Sequence, residues 1–239
     1  MAFLTAGDPS LEQTLEAALQ MEAAGVDVLE LGVPFSDPLA DGPVIQRSSE
    51  RALRRGVTLA RVLELVARLR QRSQLPVVLF SYLNPLLQHG ITRLCAEAPA
   101  AGVDGLLVTD LPPEEAGDWL PEARSAGLDT IFLAAPTSPD ERLELVSQAS
   151  RGFVYAVSRI GVTGEQQALS GDAAPLVRRL RALTREPVVL GFGISNPEQV
   201  AAAAAVADGA VVGSALVRYL EEHPGGDVGA RVRWLKSRM

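Results

Sequence analysis

Glu30 stands inside the apolar run Val28-Leu29-Glu30-Leu31, and the loop behind it, residues 32–43, adds Asp37 and Asp41 among prolines and glycines. A carboxylate amid apolar neighbours costs free energy unless it is paired or used. One acid in an apolar setting and one in a polar loop can divide acid and base roles, because environment sets each pKa. Without such use, Glu30 would be a core glutamate satisfied by an arginine or a hydroxyl, and the loop a turn-rich surface segment. A second group of residues suits an anion: Gly191-Phe192-Gly193, and Gly213-Ser214 opening a helix. Glycines let backbone approach a phosphate, and a helix N-terminus supplies oriented N–H groups. A lone Gly-x-Gly is as often a plain turn; the pair together is the stronger sign.

The rest of the inventory narrows the chemistry. Lys236 is the only lysine and lies close to the C-terminus, which excludes a Walker-type loop and a Schiff-base lysine in a central strand. His89 and His223 are the only histidines and have no cysteine partner nearby, so a dedicated zinc site is not expected. Cys95 is the only cysteine, which rules out an internal disulfide. The net charge of −7 argues against a broad nucleic-acid surface but not against one small phosphorylated substrate. No signal peptide or apolar run of membrane-spanning length is present, so a cytoplasmic location is expected. Chemistry here must rest on carboxylates, hydroxyls and backbone.

These residues need elements to position them. Strand-like apolar runs fall at 2–5, 26–31, 76–82, 103–108, 130–134, 153–157, 187–190 and 210–213, separated by amphipathic helical stretches. The stretch 10–24 opens with Ser10 three residues before Gln13, a capping-box spacing, and ends at Gly25. The stretch 58–71 sets Val62, Leu63, Leu65, Val66 and Leu69 on one side. Ala-Ala-Gly-Val-Asp at 23–27 and again at 100–104, with Ser-Ala-Gly-Leu-Asp at 125–129, repeats a helix end, a glycine cap and a strand start; 207–210 is a looser copy. Near-continuous Val/Leu/Ile strands are those covered on both faces. The pattern predicts an α/β fold, a (β/α)8 TIM barrel forming one domain over residues 1–239, with an open doubly wound sheet as the competing architecture. In a barrel, reactive side chains gather at the C-terminal ends of the strands, and phosphate is commonly held after the seventh and eighth. Gly164, in the segment 159–171 that follows the sixth strand, could complete the anion ring if that segment folds over as a lid.

The run Leu29-Glu30-Leu31-Gly32-Val33-Pro34-Phe35-Ser36-Asp37-Pro38-Leu39-Ala40-Asp41-Gly42-Pro43 closely resembles the signature of the tryptophan synthase alpha chain family. Gly7-Asp8-Pro9, Tyr82-Leu83-Asn84-Pro85, Asp110-Leu111-Pro112, the run at 158–164, Gly191-Phe192-Gly193-Ile194-Ser195 and Gly213-Ser214-Ala215 continue it, in order, to about residue 217. The resemblance implies a lyase of tryptophan biosynthesis that cleaves indole-3-glycerol phosphate to indole and glyceraldehyde 3-phosphate. It implies no cofactor in this chain, and a beta chain carrying pyridoxal phosphate in an α2β2 heterotetramer. It gives Glu30 the acid/base role and sets Asp41 opposite the indole nitrogen. Tyr155 falls beside the reacting side chain, and Thr163 where a loop threonine bonds the aspartate. Phe3, Phe80, Tyr82, Leu107 and Val211 fall in the indole pocket, while Gly164, Phe192, Gly193, Gly213 and Ser214 fall at the phosphate. Asp37 and Asp110 are expected near the partner subunit and take coupling roles at most.

The cleavage can be reasoned from the substrate. Breaking the C–C bond needs an electron sink, and protonating ring carbon C3 makes the indole nitrogen an iminium-like cation. Apolar surroundings should raise the pKa of Glu30, while solvent and hydroxyl contacts should keep Asp41 charged. His89 is expected in a surface or loop position, Cys95 in the core, and Trp119 and Trp234 on helices. One departure stands out: the family's N-terminal helix before the first strand, which closes the barrel floor, has no counterpart here. A late start codon, a shortened chain or a floor closed by other means would each account for it, and the first two predict a lower thermal midpoint than with the helix restored. Three alternatives stay open at this point. One is a sugar-phosphate isomerase with Asp8 after the first strand, although the fifth strand ends without an acid. Another is an allosteric partner barrel with little turnover, and the third a self-sufficient lyase that releases free indole.

Overall fold

The structure is a computed structural model that describes residues 1–117, 119–157, 171–191 and 193–239. Its strands are β1 (Ala2–Thr5), β2 (Leu29–Gly32), β3 (Val77–Ser81), β4 (Gly105–Val108), β5 (Asp129–Ile131), β6 (Leu133–Ala134), β7 (Val154–Val157), β8 (Val188–Gly191) and β9 (Gly209–Ala210). They form two parallel ladders, β1 to β5 and β6 to β9, each in sequence order. The fifth stave of the barrel is broken at Phe132, whose carbonyl accepts from Tyr155 N (3.1 Å) and so joins the ladders. The barrel shuts where Phe3 N donates to the Val212 carbonyl (3.0 Å) and Val212 N to that of Met1 (3.2 Å). The open sheet is thereby excluded. The eighth stave is shorter than its apolar run, with Val212 bridging Ala2 as a single pair.

Around the staves lie α1 (Leu11–Ala23), α2 (Pro43–Arg54), α3 (Leu59–Arg70), α4 (Leu83–His89), α5 (Ile91–Ala101), α6 (Trp119–Ser125), α7 (Asp140–Ala149), α8 (Ala173–Arg181), α9 (Pro197–Ala204), α10 (Ser214–Glu222) and α11 (Val228–Leu235). Ser10 Oγ accepts from Gln13 N (3.1 Å), as the spacing at the start of α1 predicts. Thr58 Oγ1 does the same for Arg61 N (3.4 Å) at α3. Alternation sorts the strand residues: Leu29 and Leu31 join the outer core under the helices, while Phe3, Val78, Phe80, Leu107, Tyr155 and Val189 fill the lumen. Both faces of each strand are therefore apolar, and the exceptions in the lumen are informative.

The repeated pentapeptide has a structural job on the N-terminal face. Gly25, Gly102 and Gly127 all take positive φ (84°, 95° and 81°), the turn from helix into strand. Asp104 Oδ2 then accepts from Val77 N (2.7 Å) at the start of β3 and from Arg70 Nη2 (2.6 Å) at the end of α3. Asp208 repeats the clamp on Val188 N (2.9 Å) and Arg181 (2.8 Å). On this same face lies an open cavity of about 520 Å³, bounded by Val28, Phe153, Val189, Leu216 and Leu235 among others. The C-terminal helix α11 contributes to its wall, and Lys236 Nζ donates to the Gly25 carbonyl.

Candidate active site

Glu30 is paired in register with Phe3 of β1 and Val78 of β3, and like both it faces the lumen. It is 1% exposed, and its Oε1 has no hydrogen-bond partner among the described residues. Burial pushes its pKa up to about 8, with the N-terminal ammonium pulling weakly the other way. At neutral pH Glu30 is therefore mostly a carboxylic acid, with hydrogen-bonding capacity to spare.

Asp41 sits in the loop between β2 and α2. Gly42 caps α2, Pro43 supplies its first residue, and Gln46 Nε2 donates to the Asp41 carbonyl (2.8 Å), so the helix start fixes the aspartate. The side chain is not solvated as expected: Asp41 is buried, and burial raises its pKa to about 6. The Tyr82 hydroxyl donates to its carboxylate and opposes that rise, while accepting from Ala40 N (3.0 Å). The hydroxyl contact expected of Asp41 is thus present; the solvent contact is not. The order of the two acids nonetheless follows the expectation, with Glu30 above Asp41.

Tyr155 responds to both acids. Its phenol is buried, and burial, then the charges of Glu30 and of Asp41, hold its pKa well above the ordinary value. Both acids lie close enough to the phenol for their charges to act on it. Around them Phe3 meets Phe80 edge-on (centroids 5.3 Å), Phe35 lies against Tyr82 (5.3 Å), and Leu107 and Val211 complete the apolar wall. Gly193, with φ of 85°, follows β8, and Gly213 caps α10 just before Ser214. A Cβ on Gly213 would find its nearest atom at 3.5 Å, ordinary contact, so crowding by the chain does not explain that glycine. Thr163, Gly164 and Phe192 lie outside the described residues.

Other residues resolve plainly. Asp8, the acid that the isomerase alternative would use, is engaged by Arg51 (2.6 and 2.8 Å) and by the Ser48 hydroxyl (2.7 Å). Asp37 and Leu39 are exposed on the β2–α2 loop, where the Ser36 hydroxyl donates to Asp37. Asp110 accepts from Leu83 N (2.7 Å) at the start of α4. His89 corrects the surface expectation: it ends α4 with its side chain 8% exposed and lies 2.8 Å from Glu97. Cys95 is buried in α5, and Trp119 and Trp234 are on α6 and α11. Sequence reasoning missed Gln46, for which nothing in the pattern argued. It also missed Thr109, whose hydroxyl donates to the Ser81 carbonyl (3.2 Å) within reach of Tyr82; its place directly after the fourth strand run was a usable sign.

Known proteins match this chain closely. A family model described as tryptophan synthase alpha chain matches residues 1–234. The tryptophan synthase alpha chain of Solibacter usitatus is 52% identical over 93% of this chain and 84% of its own. That of Geotalea daltonii is 48% identical over 99% of this chain and 90% of its own. Among solved structures, tryptophan synthase from Mycobacterium tuberculosis superposes with a TM-score of 0.92 at 40% identity, covering 99% of this chain and 90% of that one. A tryptophan synthase complex from Pyrococcus furiosus gives 0.89 at 40% identity, covering 99% and 96%. A TIM barrel with two buried acids at the rim of its second stave, matched along nearly its whole length, belongs to the tryptophan synthase alpha chain family.

Proposed function

We propose that Glu30 and Asp41 carry the reaction of this family, the retro-aldol cleavage of indole-3-glycerol phosphate to indole and glyceraldehyde 3-phosphate in tryptophan biosynthesis. As the neutral acid, Glu30 delivers its proton to ring carbon C3, and the indole nitrogen becomes an iminium N–H. The Asp41 carboxylate beside that nitrogen stabilises the positive charge. Glu30, now a carboxylate, takes the proton from the hydroxyl on the carbon attached to C3. The carbonyl forms, the C–C bond breaks, and its electron pair returns to the ring as neutral indole leaves. Proton and charge balance without an imine or a metal, and the chemistry requires no cofactor in this chain.

The observation that carries this reading is a buried, neutral Glu30 with an unpartnered oxygen, whose charge and that of a more acidic Asp41 both act on the Tyr155 phenol. Phe3, Tyr82, Leu107 and Tyr155 hold the ring, with Thr163 bonding Asp41. Gly164, Phe192, Gly193, Gly213 and Ser214 hold the phosphate, where the first N–H groups of α10 have no partner within their own helix. A pyridoxal-phosphate-bearing beta chain is the partner in an α2β2 assembly, docking on the rim where Asp37, Leu39 and Asp110 are exposed. A cytoplasmic setting suits this role; no helix among the described residues is long and apolar enough to cross a membrane. The test is Glu30→Gln: indole release should vanish while a glycerol-phosphate analogue still binds, and near-normal turnover would end the assignment. Adding a beta chain to the unmodified protein should raise the rate.

A further inference from the structure

Glu30 is not the only polar group left unpartnered in the lumen. Thr5, the last residue of β1, is 3% exposed, and its Oγ1 has no hydrogen-bond partner among the described residues. Its direction follows from alternation along the strand: Ala2, Leu4 and Ala6 lie in the outer core and Phe3 in the inner one, so Thr5 faces inward. Its height follows from register. Phe3 pairs with Glu30 and Thr5 with Gly32, one inward-facing layer nearer the catalytic mouth. Its lateral position follows from strand order. β1 lies between β2, which carries Glu30, and the eighth stave, whose Val212 bridges Ala2 and leads into Gly213 and Ser214. Phe3 already touches that side, since its Cβ is the nearest atom to a Cβ built on Gly213.

We propose that Thr5 is a further substrate-binding residue, whose hydroxyl hydrogen-bonds the hydroxylated three-carbon chain between the indole ring and the phosphate. This rests on the functional reading above and adds a contact to it. If the ring lies by Glu30 and Asp41 and the phosphate at α10, the glycerol chain must cross between β2 and the eighth stave, beneath Thr5. A buried hydroxyl with no protein partner is costly, and one that a ligand satisfies is selective for that ligand.

The test compares two ligands and two variants. Indole-3-glycerol phosphate carries the chain hydroxyls; indole-3-propyl phosphate keeps ring and phosphate but lacks them. Thr5→Val removes the hydroxyl at nearly constant shape, and Thr5→Ser keeps it. Thr5→Val should lower kcat/KM for indole-3-glycerol phosphate about tenfold, the scale of an unmade hydrogen bond, and change the Kd of the propyl compound less than about twofold. Thr5→Ser should retain most of the activity. Unchanged kcat/KM in Thr5→Val would overturn the inference, and so would equal losses for both ligands, which would mark a packing role. Failure of the unmodified protein to bind either compound would overturn the functional reading itself, and the inference with it.

Discussion

The phenol of Tyr155 occupies the space that a side chain at position 191 would need: a Cβ built on Gly191 would overlap the Tyr155 oxygen. Gly191 is the last residue of β8, and its neighbour across the ladder is Val157, two residues beyond the tyrosine. A glycine that reads as part of an anion-binding turn is therefore also what admits the aromatic ring beside the two acids. Gly191→Ala should push Tyr155 out of place or strain the strand. Overpacking of this kind costs about 1–3 kcal/mol, and urea unfolding with an indole-release assay would register both the lost stability and lost turnover. A stable, fully active Gly191→Ala protein would show that the ring can move without consequence.

Glu30 should lower stability at neutral pH. Its folded pKa of about 8 lies above the ordinary 4.5, so the folded state holds the proton more tightly than the unfolded chain. That contribution is fully present below about pH 4.5 and is lost as pH rises toward 8. Glutamine at position 30 never ionises. By linkage, Glu30→Gln should gain on the parent by about 1 kcal/mol at pH 5 and about 3 kcal/mol at pH 7. Denaturant melts of both proteins across that range give the check; a pH-independent difference would contradict it.

The N-terminal face invites the opposite experiment. Asp104 clamps the first amide of β3 and the Arg70 guanidinium, far from the acids. Asp104→Ala leaves a strand-start N–H without its acceptor and takes from the Arg70 guanidinium its carboxylate partner, leaving it the Gly102 and Leu75 carbonyls. The expected cost is about 1–2 kcal/mol of stability, with kcat and KM for folded protein unchanged within about twofold. A selective change in KM would contradict the division between a stabilising face and a catalytic face.

These particulars explain what could be read from the residues alone. The cap at Ser10, the glycine-then-aspartate repeat and the doubly apolar strands are local or periodic features, and each survives folding because it depends on near neighbours. Glu30 was legible because a charge in an apolar run has few explanations. The burial of Asp41 was not, since it depends on how Tyr82 and Gln46, from two other elements, close over a loop. The pairing of His89 with Glu97 was hidden for the same reason: it joins α4 to α5 across a turn. Nor does composition mark the break at Phe132, where the ring turns outward against Trp119 (centroids 6.4 Å) and the stave divides.

The two acids together set a pH window, and Tyr82 sets one of its edges. The proposed reaction uses Asp41 ionised and Glu30 protonated, so kcat/KM should climb as pH rises through about 6 and fall as it passes about 8. The Tyr82 hydroxyl donates to the Asp41 carboxylate and favours its charged form. In Tyr82→Phe that stabilisation is gone, so the Asp41 pKa rises and the acid limb moves to higher pH, while the alkaline limb, which belongs to Glu30, stays in place. The window narrows from one side only. At pH 6 the variant should lose more of its activity than at pH 7.5, a contrast that simple destabilisation of the loop would not produce. The same variant leaves Ala40 N without its acceptor, so a uniform loss at every pH should accompany the shift. A profile that drops evenly, with neither limb displaced, would mean that the tyrosine braces the loop and leaves the aspartate's ionisation untouched.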